Sequence, residues 1–203
     1  MTRAPDLDVS RETLDRLEHF AALLKKWNQR INLVSKSTLD NLWQRHVLDS
    51  AQLYSLVQHP IGHWVDLGSG GGFPGLVIAL MAMENGSPFK VTLVESDMRK
   101  SAFLRTVIRE TGAPAHVLNG RAEDIDPLGA DVVSARALSE LSNLIGLADR
   151  HLIPEGTAIF PKGETWQKEL SKAQSKWNFS YQVDKSKTED GPVILSITGV
   201  SSV

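Results

Sequence analysis

The sequence contains no cysteine, which excludes disulfides, thiolate metal sites and a cysteine nucleophile. It also lacks a long apolar run. The longest, GLVIALMAM at residues 75–83, falls far short of the ~20 residues that span a bilayer. The opening stretch MTRAPDLDVSRETLDRLEHF has no apolar core of signal-peptide length, so the chain is expected to be cytosolic, with no membrane association. Excess charge of either sign is missing too: the formal net charge is only −2. Bulk electrostatics therefore give no reason to expect nucleic acid, and any RNA binding must come from a local basic face. There is no internal repeat and no low-complexity segment.

What is present suits one α/β domain with a helical appendage: 203 residues, 41% hydrophobic and 23% charged. Leu14, Leu17, Ala21, Leu24 and Ile31 recur at helical spacing over residues 10–31, opening at Ser10. A second helix is predicted over 39–57, started by SKSTLD, where Ser37 or Thr38 can cap. From His63 the pattern changes. Strand candidates lie at 63–67, 90–95, 115–119, 131–136 and 157–161, with helical segments at 75–85, 98–111, 138–152 and 164–177. Strands separated by helix-length crossovers predict a parallel, doubly wound sheet. The last two strands, FSYQVDKS and PVILSITGV, are separated only by KTEDG. No crossover helix fits there, so they are expected to pair antiparallel. Residues 1–62 read as a helical extension packed on a core of 63–203, one compact unit overall.

Residues 64–75 read WVDLGSGGGFPG, in which two glycine patterns overlap. From Gly70 the pattern is G-x-G-x-x-G, through Gly72 and Gly75, the form that seats a dinucleotide pyrophosphate on a helix N-terminus. From Asp66 it is D-x-G-x-G, through Gly68 and Gly70, which puts a carboxylate at a strand end and suits a nucleoside carrying a cation. Pro74 has no N–H to offer a pyrophosphate, although it suits the first turn of a helix. Asp66 would repel phosphates and attract, directly or through water, the ammonium of a methionine moiety. Glu95 ends the second strand, where it can accept both ribose hydroxyls in either reading. The terminal antiparallel hairpin and the 62 residues before the first strand look like class I S-adenosylmethionine methyltransferases, with their Rossmann-like, mostly parallel sheet. The balance favours S-adenosylmethionine over NAD(P). The structural alternative is that the glycines permit a tight turn and Asp66 caps the helix after it.

Six motifs in order resemble the bacterial 16S rRNA guanine-N7 methyltransferases, the RsmG or GidB family: WNQRINLVS (27–35), RHVLDS (45–50), DLGSGGGFPG (66–75), ESDMRKSAFL (95–104), ARA (135–137) and PKG (161–163). Two departures are visible: Arg99 precedes Lys100 where the family has the reverse order, and Ala135 stands where a Ser or another small residue is frequent. The resemblance implies S-adenosylmethionine as cofactor, no metal, and a guanine in the 530 loop of 16S rRNA or of the small ribosomal subunit as target. By the same resemblance the cofactor touches Gly68 and Phe73, with Ser69 and Gly70 in the loop, Ala122 and Glu123 after the third strand, and Arg136 after the fourth. Physically, a backbone N–H and a carboxylate in GRAED (120–124) suit an adenine edge, and Arg136 can meet a carboxylate or a phosphate. The alternatives are a solvated loop acid at Glu123 and a structural ion pair at Arg136.

Guanine N7 carries an exposed lone pair, so its methylation needs no prior proton abstraction. The chain fits that chemistry: it reads DVVSARAL after the fourth strand, without the N/D-P-P-Y/F motif of exocyclic-amine methyltransferases, and has no cysteine for pyrimidine C5. His46 and Asp49 lie three apart and share a helix face. They either help shape the guanine site or dock the appendage as a buried pair. Candidate RNA contacts are Lys25, Lys26, Arg30, Lys36, Arg45, Arg99, Lys100 and Lys162. No dimerisation stripe is seen, and a monomer is expected. Two other functions stay open on the sequence: an NAD(P)-linked oxidoreductase and a non-catalytic ribosome-binding module.

Overall fold

The computed structural model describes residues 7–57, 60–84 and 89–203. Helix α1 (Arg11–Asn28) begins where Ser10 Oγ accepts the Thr13 N–H at 3.3 Å and buries Leu17, Phe20 and Leu24. Leu17 and Leu24 of the predicted stripe are buried and Ala21 and Ile31 pack against the same core, while Thr13, Phe20 and Asn28 are buried beside them and widen the stripe. The single helix expected over 39–57 is broken. A short α2 (Lys36–Leu39) is followed by a π-helical turn at Trp43–Leu48 and by α3 (Asp49–Tyr54). Ser37 and Thr38 lie inside α2, and Ser35 precedes it. A widened turn leaves the mean apolar spacing almost unchanged, so periodicity does not register it.

The core alternates strands and helices: β1 (His63–Leu67), α4 (Gly75–Ala82), β2 (Lys90–Glu95), α5 (Met98–Thr111), β3 (Ala115–Asn119), β4 (Ala130–Ala135), α6 (Leu141–His151), β5 (Leu152–Lys162), α7 (Trp166–Gln174), β6 (Trp177–Lys185) and β7 (Val193–Ser202). The helix predicted over 75–85 ends within the described residues at Ala82; position 85 lies outside them. The sheet order is β3-β2-β1-β4-β5-β7-β6. All pairings are parallel except those of β7, which runs antiparallel between β5 and β6. The expected mostly parallel sheet with an antiparallel terminal strand is therefore observed.

Alternate residues of each strand feed two cores. Trp64, Leu93 and Ile159 pack under α4 and α5, with α1 laid across both, so Phe20 and Leu24 join the same core. Val65, Val133 and Phe160 face the opposite side, under α6 and α7. No helix joins β3 to β4. The second face is consequently open beside β1 and β2, at the C-terminal edge where open α/β sheets bind ligands.

Candidate active site

The loop after β1 turns on three glycines in the left-handed region, Gly68 (φ 66), Gly70 (φ 53) and Gly72 (φ 91), which side chains rarely enter. A Cβ on Gly68 would stand 2.6 Å from Leu138 Cδ1, and one on Gly71 would stand 3.2 Å from the Leu33 carbonyl. The loop is thus gripped between the β4–α6 connection and the stretch after α1. Gly75 starts α4 so close to β1 that a Cβ would lie 2.8 Å from Asp66.

Asp66 lies beneath this loop rather than at its mouth. It is fully buried, Oδ2 accepts the Gly75 N–H at 3.2 Å, and Oδ1 accepts the Ser134 hydroxyl at 2.8 Å. Ser134 in turn accepts the Trp64 indole N–H at 2.9 Å. Burial pushes the Asp66 carboxyl up to about 6, against its hydrogen bonds. The expected contact with a ligand ammonium gives way to helix capping, since no face of the carboxylate meets solvent. Ser69 is buried as well, its hydroxyl donating to the Asp66 carbonyl at 3.0 Å. Glu95 holds the loop from the next strand, Oε2 accepting from Gly70 N and Oε1 from Asp97 N, both at 2.8 Å.

Gly68, Ala122 and Glu123 come together with Val94, Ser96 and Leu138 around a cleft of about 620 Å³. Glu123 is exposed at its rim and lies 3.6 Å from Arg121. Ala122 is fixed by a residue that sequence reasoning missed: His151, at the end of α6, donates Nε2–H to the Ala122 carbonyl at 2.9 Å. His151 is fully buried, and burial lowers its pKa, keeping it neutral. Phe73 is not among the residues lining this cleft. Its ring is buried between Phe20 at 5.1 Å, His46 at 4.9 Å and the Arg136 guanidinium at 5.3 Å.

Arg136 ties the site to the appendage. It donates to His46 Nδ1 at 2.7 Å, to the Arg45 carbonyl at 3.2 Å and to Asp49 Oδ2 at 3.4 Å. Burial lowers its pKa, and Asp49 and Asp66 oppose that shift. An arginine has no acceptor, so His46 Nδ1 must accept, and the ring proton sits on Nε2, which donates to Thr38 Oγ1 at 2.9 Å. Burial, then Arg136 and Arg45, lower His46 to about 3. It is neutral at physiological pH and its lone pair is occupied, so it is no general base here. The shared face expected for His46 and Asp49 is present, and both sides of it meet Arg136.

A second cleft of about 650 Å³ opens past the ends of β4 and β5 and is walled by Asp49, Arg136, Lys162 and Glu169. Both clefts reach Leu138 and Ser139, so they meet over the β4–α6 connection. The β6–β7 loop closes the far side. Thr188 donates to Asp49 Oδ1 at 3.1 Å, Lys187 N donates to Gln52 Oε1 at 2.8 Å, and Glu189 pairs with Arg45. Nothing in the KTEDG spacing announced this, because the contacts join residues more than 130 positions apart.

Residues 13–192 match the GidB family, described as rRNA small subunit methyltransferase G. The chain belongs to this family. It is 54% identical to the ribosomal RNA small subunit methyltransferase G of Ruegeria pomeroyi over 98% of both chains. It is 51% identical to that of Rhodospirillum centenum, covering 95% of this chain and 87% of the relative. Among solved structures, a SAM dependent methyltransferase from Aquifex aeolicus matches with TM-score 0.60 at 13% identity, covering 87% and 97% of the two chains. M. jannaschii TYW2 in complex with AdoMet matches with TM-score 0.56 at 13% identity, over 86% and 80%. GidB membership sets aside the oxidoreductase reading, and the strand order agrees with the methyltransferase fold. Among the described residues no helix is long and apolar enough to cross a membrane.

Proposed function

We propose that this GidB-family chain transfers a methyl group from S-adenosylmethionine to N7 of a guanine in the 530 loop of 16S rRNA. The observation that carries the reading is the meeting of the two clefts over Leu138 and Ser139. One cleft takes the cofactor and the other the target base. The first fits a nucleoside: side-chain-free Gly68 at its floor and Ala122 backbone with Glu123 beside the adenine, while Glu95, buried and outside the lining, fixes the loop through Gly70 N and Asp97 N rather than making the ribose contact expected of it. When bound, S-adenosylmethionine supplies an electrophilic methyl group.

The protein's own part is alignment. Asp66, through Gly75 and Ser134, fixes the glycine loop; His151 fixes the Ala122 turn; and Arg136, clamped by His46 and Asp49, stiffens the boundary between the clefts. Positioning of this kind can contribute roughly 7–11 kcal/mol. A ring nitrogen with a free lone pair asks for nothing further, which suits a site whose histidine holds no available lone pair. Lys25, Lys26, Arg30 and Lys36, on the segment that touches the glycine loop, are exposed and would contact phosphates, as would Arg99 and Lys100 at the start of α5. The helical extension and the core act as one compact unit, a cytosolic monomer that needs no metal.

The test is to incubate the protein and labelled S-adenosylmethionine with small subunits lacking the modification, then map the methyl group. Label at N7 of one guanine in the 530 loop is expected. Label on another base, or none, would overturn the reading, the second outcome favouring a non-catalytic ribosome-binding module.

A further inference from the structure

Lys162, near the end of β5, and Glu169, on α7, form an ion pair in the wall of the second cleft, Nζ to Oε2 at 2.7 Å. Each is also fastened to the backbone of the β4–α6 connection: Nζ donates to the Ser139 carbonyl at 3.3 Å, and Oε2 accepts the Leu141 N–H at 2.9 Å. Their side chains are only 9% and 26% exposed. Burial on this scale removes Lys162 from the set of free phosphate contacts predicted from the sequence.

Both protein donors converge on one carboxylate oxygen. Among the described residues nothing donates to Glu169 Oε1, and one of the three Nζ protons of Lys162 is likewise unused. The cleft therefore carries an immobilised donor and acceptor side by side. Guanine presents O6, an acceptor, next to N1–H, a donor. Adenine presents the reverse, an amino donor next to an acceptor N1. A lysine beside a carboxylate matches the first edge and opposes the second. A guanine whose N7 faced the cofactor cleft would turn its Watson–Crick edge away from that cleft.

Resting on the functional reading above, we propose that Lys162 and Glu169 select guanine, Nζ donating to O6 and Glu169 Oε1 accepting N1–H. Both residues are then specificity determinants that touch the base, and neither removes a proton.

The experiment uses small subunits assembled on 16S rRNA that is ligated to carry guanine, inosine or 2-aminopurine at the methylated position, with the wild-type chain and Glu169→Gln. Inosine keeps O6 and N1–H; 2-aminopurine keeps N7 but has neither. Glutamine can still accept from Leu141 N while turning an amide N–H toward the base. The wild type is expected to methylate guanine and inosine with similar kcat/KM, and 2-aminopurine at least about tenfold more slowly, the scale of a good base-edge contact. In Glu169→Gln the guanine rate should fall by about tenfold or more while the 2-aminopurine rate holds, so their ratio collapses. S-adenosylhomocysteine binding should remain that of the wild type, whereas thermal stability should fall, a loss common to every RNA tested, because the mostly buried Lys162 loses its charged partner. An equal loss on guanine and 2-aminopurine would make Glu169 merely structural, and inosine as poor as 2-aminopurine would move recognition to the exocyclic amine; either overturns the proposal. A wild-type chain that methylates none of the three RNAs would instead remove the functional reading beneath it.

Discussion

Arg136 Nη2 stands 2.7 Å from His46 Nδ1, and both groups pack on the ring of Phe73. One residue directly follows β4 and the other lies in the π-helical turn of the appendage, so a single contact joins the glycine loop, the sheet and the N-terminal helices. The contact also fixes the histidine tautomer and keeps the ring neutral.

The first prediction concerns acid stability. The unfolded chain gains a proton on His46 near its ordinary pKa of 6.5, whereas the folded chain resists until about 3. The contribution of His46 is thus complete above the unfolded value and is lost as pH falls from 6.5 toward 3. His63, His116 and His151 are lowered in the same direction and act alike in wild type and variant. His46→Gln should show a shallower fall in unfolding free energy over that window, measured by urea titration at a series of pH values. Parallel curves would contradict the assignment.

Gly68 and Gly70 should respond differently to alanine. Both have positive φ, but only at Gly68 does the added methyl reach Leu138, at 2.6 Å, on the ridge shared by the two clefts. Gly70 meets nothing nearer than 3.7 Å. Gly70→Ala should cost about 1 kcal/mol of stability and little activity. Gly68→Ala should add a loss of S-adenosylhomocysteine affinity, read by calorimetry.

His151 offers a test remote from the clefts. His151→Leu removes the donor to the Ala122 carbonyl while keeping an apolar side chain in the core. Cofactor affinity should weaken several-fold, with a stability loss of about 1–3 kcal/mol for the carbonyl left unpaired. Unchanged affinity would mean the turn is held by other contacts.

RNA binding should fall steeply with salt, by a log–log slope of about −0.7 for each phosphate contacted on a single strand. Lys25 and Lys26 are exposed at the end of α1, whereas Arg45 is paired with Glu189. Lys25→Glu with Lys26→Glu should therefore flatten the slope by about one contact or more, and Arg45→Ala should change it less. Filter binding across a salt series checks both.

The sheet was legible in the sequence because each strand is bounded by a sharp change of pattern: β1, β2 and β3 fall at the predicted residues, and β7 was placed antiparallel by the shortness of its connection. The glycine loop was legible as a tight strand-to-helix turn, with Gly68, Gly70 and Gly72 all at positive φ. The burial of Asp66 was not, since a carboxylate at a strand end reads the same whether it points up to a ligand or sideways to a helix N-terminus. The π-helical turn was hidden by unchanged spacing. Lys162 appeared as a surface charge and Glu169 attracted no attention, because their pairing depends on α7 folding back over the end of β5. His151 and the β6–β7 loop contacts were silent for the same reason, each partner being remote in sequence.

Insertion of β7 between β5 and β6 has a consequence for the order of synthesis. A nascent chain can form the β3-β2-β1-β4-β5 layer early, but β6 has no neighbour until residues 193–202 emerge and slide in beside it. The same hairpin carries Lys187, Thr188 and Glu189 onto Gln52, Asp49 and Arg45. Translation must therefore run past residue 202 before the far wall of the second cleft exists, which leaves a half-made chain without an assembled target site while it is still attached to a ribosome.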